Sequence, residues 1–392
     1  PPFAKGGNSI SPTLKKGDAG EFYDNQYEKW KSSHQPFHWF AEFYEIVHEK
    51  GGFDVIIGNP PYVEYSKVKN KYTIKGYKTE SCGNLYAYVM EGSVNLVRDK
   101  GRFGMISPIS LPSTPRMTPA RDVLIKNSVF SWCSNFADRP GTLFTGVHQK
   151  LSIVLSKKHL LENNQHLLFT TSYKHWYSKE NKDERKPLME TLCYVPAIKT
   201  SLCWLKTGNS IERSIYDKLT SQRHSISKSL NGTSSAFSLA MRMMYWGKSF
   251  TEPQQSNEYK NFKAPSSLDK KILVSIFNST LYFWFWELIS DGWHITAKEL
   301  DNFFLDLNNM APALKNSISN LTNMLIEDLD SKKGYVGTKQ TDYEYYHKLS
   351  KPIIDEIDRV LAKHYGFTEE ELDFIITYDI KYRMGRGSEG ED

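Results

Sequence analysis

This chain has little of what staples or anchors a polypeptide. Four cysteines (Cys82, Cys133, Cys193 and Cys203) are spread over 392 residues without paired spacing, which excludes a disulfide framework and a cysteine-built zinc site. The 11 histidines are equally scattered, so no metal is expected, and a reducing cytoplasm is the expected compartment. The most apolar run, Leu281-Tyr-Phe-Trp-Phe-Trp286, falls far short of the roughly 20 residues that span a bilayer. No signal-peptide pattern accompanies it, and a mean hydropathy of −0.53 suits a soluble chain with no membrane partner. A glycine-rich turn between strand and helix, the usual cradle for a nucleotide-type cofactor, is missing as well. Gly6-Gly7 and Gly17-Asp18-Ala19-Gly20 follow no apolar strand, and residues 1–32 read as a polar loop or linker. No carboxylate–lysine set of the nuclease kind stands out.

What the chain does have begins at Phe53-Asp-Val-Ile-Ile-Gly58. Val55, Ile56 and Ile57 are β-branched and uninterrupted, which predicts a parallel strand buried on both faces. The strand stops at Asn59-Pro60-Pro61-Tyr62, where two prolines forbid further pairing and force a rigid turn. In open α/β sheets the carboxyl edge is where ligands bind. An Asn side-chain carbonyl and the main-chain carbonyl beside it form two acceptors that suit a group with two N–H donors. Tyr62 adds a face on which a flat ring stacks. Acceptor, acceptor and aromatic plate describe a pocket for a base taken out of its duplex.

The net charge of +5 is uneven: from Lys157 to Ser275, 19 Lys and Arg stand against 10 Asp and Glu. A basic block of this kind suits a polyanion, and an ordinary solvated surface gives the same pattern. Within it, Met241-Arg-Met-Met-Tyr-Trp-Gly-Lys248 is either a basic-aromatic contact surface, with Arg242 and Lys248 as its cations, or a core strand with one snorkelling end. Trp284, Trp286 and Trp293 read as core by ordinary burial preference. The proline-stiffened loop Leu111 to Pro119 carries Arg116, with Arg121 just beyond; both suit a DNA phosphate or a neighbouring carboxylate. Lys150 is a further DNA-contact candidate. Near the end, Pro352 starts an amphipathic helix, Gly366 stops it, and Thr368-Glu-Glu-Glu371 is a capping box for the next. Residues 385–392 read as disordered.

Several of these segments together resemble a known family. Asn59-Pro60-Pro61-Tyr62 matches motif IV of the S-adenosylmethionine-dependent amino-methyltransferases, in the form typical of N6-adenine DNA methyltransferases. Asn84-Leu85-Tyr86-Ala87 resembles motif V, Gly101 to Pro108 the next strand, and Leu143 to Leu155 motif VIII. The order is similar to that of the large methylases of Type IIG restriction–modification and phage-exclusion systems. The resemblance implies an α/β fold: the second half of a Rossmann-like S-adenosylmethionine methyltransferase sheet, then a mixed α/β target-recognition domain and a helical tail. The implied divisions are a catalytic domain at 33–190, recognition at 191–330 and the tail at 331–384. Asn59 and Pro60 would accept from the adenine amine, Pro61 would fix the turn, Tyr62 would stack, and Phe144 would touch the base. Asn84 and Tyr86 would line the cofactor side or serve as helix cap and core aromatic; Val89 stands where relatives place a Phe. Implied partners are double-stranded DNA, bound as a monomer, and the upstream half of the same protein. With the main donor-binding motif absent, the chain is expected to be a carboxyl-terminal part, inactive alone. Two alternatives share the motif or the charge: a protein-glutamine methyltransferase, whose side-chain amide also offers two N–H donors, and a non-catalytic DNA-binding module. The long extension beyond Leu155 argues against the first.

Overall fold

The structure is a computed structural model that describes residues 18–34, 38–159, 166–177, 185–254, 256–338 and 341–385. The chain divides into two compact units, 1–53 and 54–392. In the first, α1 (Asp18–His34) takes the place of the expected loop over 18–32, and residues 1–17 of that expectation lie outside the described residues. The reason lies in its residues: from Glu21 to His34 there is no Gly or Pro, and Glu, Gln and Lys are good helix formers. Its described side chains are exposed, and Glu28 and Lys31 pair at 4.0 Å one turn apart. A polar composition that resembles a linker is also that of a solvated helix. The unit boundary at 53/54 also falls elsewhere than the expected division at 32/33.

The second unit begins on a six-stranded mixed sheet. β1 (Phe53–Gly58) lies next to β2 (Val97–Pro108); then come β4 (Leu151–Lys158), β3 (Ser128–Phe136), β5 (Leu167–Lys174) and β6 (Val195–Pro196). β4 runs antiparallel between β2 and β3, with Met105 and Cys133 both opposite Val154. β3 and β5 are parallel. The carboxyl ends of β2, β3 and β5 therefore share one edge. Two helices, α2 (Leu85–Leu96) and α3 (Thr118–Asn127), cover one face: Tyr86, Met90, Val94, Ala120 and Leu124 form a core with Phe103, Met105, Cys133 and Val154.

The other face differs from expectation. Among the described residues β1 is the terminal strand, and Val55 and Ile57 are 55% and 77% exposed rather than buried on both sides. Gly104 lets Ile57 and Leu155 approach each other: a Cβ there would sit 3.0 Å from Leu155 and 3.3 Å from Ile57. The row continues through Trp132, whose ring stacks on Phe130 and Phe169 at 5.8 and 6.0 Å. It encloses an apolar hollow of about 510 Å³. No described element covers it.

Beyond the sheet lie α4 (Ser210–Thr220) and a three-stranded antiparallel sheet of β7 (Ser235–Ala240), β8 (Ser249–Phe250) and β9 (Tyr259–Ala264). α5 (Ser267–Asn278), α6 (Thr280–Ile289), α7 (Pro312–Ser331), α8 (Lys351–Tyr365), α9 (Glu369–Thr377) and α10 (Ile380–Met384) complete a helical carboxyl region. α8 ends on Gly366 in the left-handed region, and Thr368 and Glu371 close a capping box on α9. One hydrophobic core runs from Cys203 to Ile375. The expected division at 330/331 thus falls inside a shared core. No single described helix is long and apolar enough to cross a membrane. Of the expected disordered tail, 386–392 lie outside the described residues.

Candidate active site

β1 ends at Gly58 and the chain leaves the sheet. Pro60 is buried and anchors the turn; Asn59 is exposed and Tyr62 half-buried. The Tyr62 hydroxyl donates to Asn59 Oδ1 at 2.6 Å. Burial raises this phenol to about 12, so it remains a donor at neutral pH. An amide oxygen has two lone pairs, so the contact orients the Asn59 side chain and leaves one lone pair unspent. No described main-chain hydrogen bond reaches the carbonyls of Asn59 or Pro60. The two acceptors are thus present, one already steadied by the adjoining phenol.

Tyr62 stands edge-on to Tyr86, with ring centroids 6.2 Å apart. It also packs on a second cluster made by Phe136, Leu143, Leu151, Trp176 and Leu188, and Phe144 packs on the same cluster. Phe144 opens a tight turn in which Val147 N donates to Phe144 O at 3.0 Å. Gly146, at φ +74°, takes a conformation that a side chain would strain. Tyr62 and Phe144, predicted to flank one base, are brought to one apolar cluster at the carboxyl edge of the sheet.

Of the two readings open for Asn84 and Tyr86, the structure places them as helix cap and core aromatic. Leu85 N donates to Val63 O and Tyr65 N to Gly83 O, both at 2.9 Å, which zips 63–65 onto 83–85. Asn84 is the N-cap of α2: its Oδ1 accepts from Tyr86 N at 3.4 Å while Nδ2 donates to Glu64 Oε1 at 3.1 Å. Tyr86 is fully buried, with its hydroxyl 3.0 Å from Ser110 Oγ. Cap and core use up both side chains. Val89 on the same helix is exposed.

Three expected phosphate contacts are engaged within the protein. Arg121 is buried and donates to the carbonyls of Leu111, Thr114 and Leu202 and to Thr118 Oγ1, each at 2.8 Å. It ties the proline-rich loop to the following domain. Arg116 is half-exposed and ion-paired with Glu64; that pairing and the Asn84 contact hold the Glu64 carboxyl below its usual range against its partial burial. Lys150 pairs with buried Asp138 at 2.8 Å, and its Nζ lies 3.4 Å from the centre of the Trp293 ring.

Arg242 is exposed and Lys248 half-buried. Residues 241–248 form the loop between β7 and β8, not a core strand, because Gly247 must pass against the end of α5: a Cβ there would lie 1.7 Å from Phe277 O. Trp284 and Trp286 are core as expected, but Trp293 is 41% exposed. The signal for this was the Asp291-Gly292 turn immediately before it, with Gly292 at φ +75°.

Sequence reasoning gave no role to a buried cluster at the end of β5. His175 Nε2 lies 3.0 Å from Glu287 and 3.6 Å from Asp379, and donor atoms of the three lie within 4.8 Å of one another. Burial alone would lower His175, but the two carboxylates and the Arg139 carbonyl raise it to about 9. Its Nδ1 is 2.8 Å from Arg139 O, so both ring nitrogens face acceptors. The cluster joins β5, α6 and the link between α9 and α10 through one imidazole and two carboxylates.

Residues 8–141 match the family described as Eco57I restriction-modification methylase. A protein from Methanocaldococcus jannaschii, described as a type II restriction enzyme and methyltransferase, is 29% identical over 153 residues. That alignment takes in 39% of this chain and 12% of the relative, so the chain spans a small part of it. Among solved structures, the Type IIL restriction-modification enzyme MmeI in complex with DNA aligns over 87% of this chain and 58% of its own, with 10% identity and a TM-score of 0.42. The type IIG restriction endonuclease BpuSI aligns over 84% and 53%, with 11% identity and a TM-score of 0.33.

Proposed function

We propose that this chain, carrying an Eco57I-type methylase segment, is the catalytic and recognition portion of a site-specific DNA methyltransferase acting on the N6 amine of adenine, in a restriction–modification or phage-defence system. One observation carries the reading: an exposed Asn59 held by buried Pro60, with Tyr62 and Phe144 on one apolar cluster beside it. In this reading Asn59 Oδ1 and Pro60 O each accept one hydrogen of the extruded adenine's amine. That geometry turns the nitrogen lone pair away from the ring and toward the incoming carbon, so the gain comes from positioning rather than from a strong base. The hydroxyl of Tyr62 steadies the amide, its ring stacks on the base, and Phe144 closes the other side.

S-adenosylmethionine supplies the methyl group in this reading. The described residues do not form its site, since Asn84 and Tyr86 are engaged and no glycine-rich turn is present. We infer that the upstream half of the same protein holds it; the uncovered apolar face and free edge of β1 support a cover of that kind. The isolated chain is then inactive. The test is Asn59→Ala in the complete gene product, with modified nucleosides read by mass spectrometry. A loss of about 10²–10³-fold in N6-methyladenine with DNA binding unchanged is expected. Retained methylation, or methylation of cytosine or of protein instead, overturns the reading.

A further inference from the structure

A second concavity lies away from the Asn59 turn, between the 241–248 loop and residues 344–348, with a volume of about 580 Å³. That is within the range of roughly 300–1,000 Å³ typical of ligand clefts. The loop is held in place by its neighbours: Ile295 N donates to Met241 O at 2.9 Å, and Arg242 bridges His294 in antiparallel fashion. Trp293, with Lys150 over one face of its ring, is thereby presented at the rim.

Arg383 forms part of the groove's wall. It is 3% exposed, its Nε donates to Tyr245 O at 3.0 Å, and its guanidinium stacks 4.0 Å from the Trp246 ring. Its Nη2 is buried without a hydrogen-bond partner. An arginine nitrogen left unpaired in a groove wall is costly unless an acceptor arrives. Around it stand Arg242, Lys248 and Lys348, none of which makes an ion pair among the described residues. Glu258 and Glu344 also line the groove, leaving cations in excess. Unspent cations, an unpaired buried donor and an indole at the rim together fit anionic oxygens attached to a flat ring.

We propose that this groove binds DNA at an unpaired nucleotide, stacking its base on Trp293 and holding its phosphates with Arg242, Lys248, Lys348 and Arg383. The proposal rests on the DNA-methyltransferase reading and adds to it a site distinct from the methyl-transfer turn. A fully paired duplex presents no base face to Trp293; a nucleotide that has left the stack does.

The full 392-residue chain is titrated, by fluorescence anisotropy, with a paired duplex and with the same duplex carrying one bulged nucleotide. The bulged duplex is expected to bind about 10-fold more tightly. Trp293→Ala should erase that preference and Trp293→Phe should restore most of it. The triple variant R242A/K248A/K348A should flatten the dependence of log affinity on log salt by roughly 2, with thermal melting unchanged because none of the three makes an ion pair among the described residues. Equal binding of the two duplexes by the parent chain overturns the proposal. So does an intact preference in Trp293→Ala, or competition by adenosine monophosphate as strong as by the bulged duplex. The Trp293 variants read this groove and the Asn59→Ala methylation assay reads the turn, so the two readings fail or stand separately.

Discussion

Val154 and Leu155 are neighbours on β4 and face opposite sides of one sheet. Val154 is fully buried beneath α2 and α3, whereas Leu155 is 45% exposed beside Ile57 and Trp132. Both sides are apolar in sequence, yet only one is covered by described residues. An apolar strand face records that something is meant to lie on it; it does not record which part of the polypeptide supplies the cover. The covered face is closed by helices that follow β1 in sequence, α2 after the long segment 59–84 and α3 soon after β2. The bare face is bordered by β1, whose outer edge pairs with no described strand, the kind of surface that further protein covers.

The comparison breaks most visibly on the covered side. Met90 is fully buried on α2 against the sheet. Met90→Ala removes most of its side chain from a filled core and should lower unfolding free energy by about 2–5 kcal/mol. The denaturant midpoint of the isolated chain reads this directly. An unchanged midpoint would mean that the helix layer does not carry the fold.

The same contrast explains how much was legible beforehand. The turn at Asn59–Tyr62 was readable because two prolines leave few backbone options, and the hairpin of α8 and α9 because Pro352, Gly366 and the Thr368–Glu371 capping box each act locally. Burial was not local. The run Val55-Ile56-Ile57 predicted a strand covered on both faces, but the covering partner of one face is not among the described residues. Arg121 and Trp293 were misread for a related reason: charge suggested a phosphate and an indole suggested a core, while long-range contacts decided otherwise. Arg121 reaches Leu202 across the domain, and the Asp291-Gly292 turn brings Trp293 out beneath Lys150. The segment 18–34 shows the converse, since polar composition hid a helix that propensity alone would have suggested.

A third region, the His175–Glu287–Asp379 cluster just past the end of β5, is held by charge, and pH sharpens the comparison there. His175 is raised to about 9 by Glu287, Asp379 and the Arg139 carbonyl despite its burial. Because its folded value lies above the ordinary 6.5 or so, the protonated form stabilises the fold. That contribution is full below about pH 6.5 and is lost as pH rises through about 9. Asp379 is raised by burial and by the charge of Glu287, so it too favours a proton in the cluster. His175→Gln should be less stable than the parent at pH 6.5, by about 1–3 kcal/mol, with the gap closing by pH 10. Melting curves across that range decide it; a gap that is constant with pH would show that His175 acts by shape and not by charge.

The smallest effect is expected where the sequence looks most hydrophobic. Leu155→Thr puts a β-branched residue, well suited to a strand, in place of a side chain that is already half in water. In this chain it should change stability by less than about 0.5 kcal/mol. Val154→Thr is the smaller change in volume, yet it places a hydroxyl in a dry core and should cost about 1–3 kcal/mol. Paired urea titrations measure the difference between two adjacent positions of one strand. If the two costs are equal, the uncovered face is packed in solution, for example by a second copy of the chain, and sedimentation would then show the assembly. If they differ as expected, the same Leu155→Thr change made in the complete gene product becomes informative. On the proposed reading that an upstream part of the protein covers this face, it should cost clearly more there, because such a cover would turn an exposed leucine into a buried one.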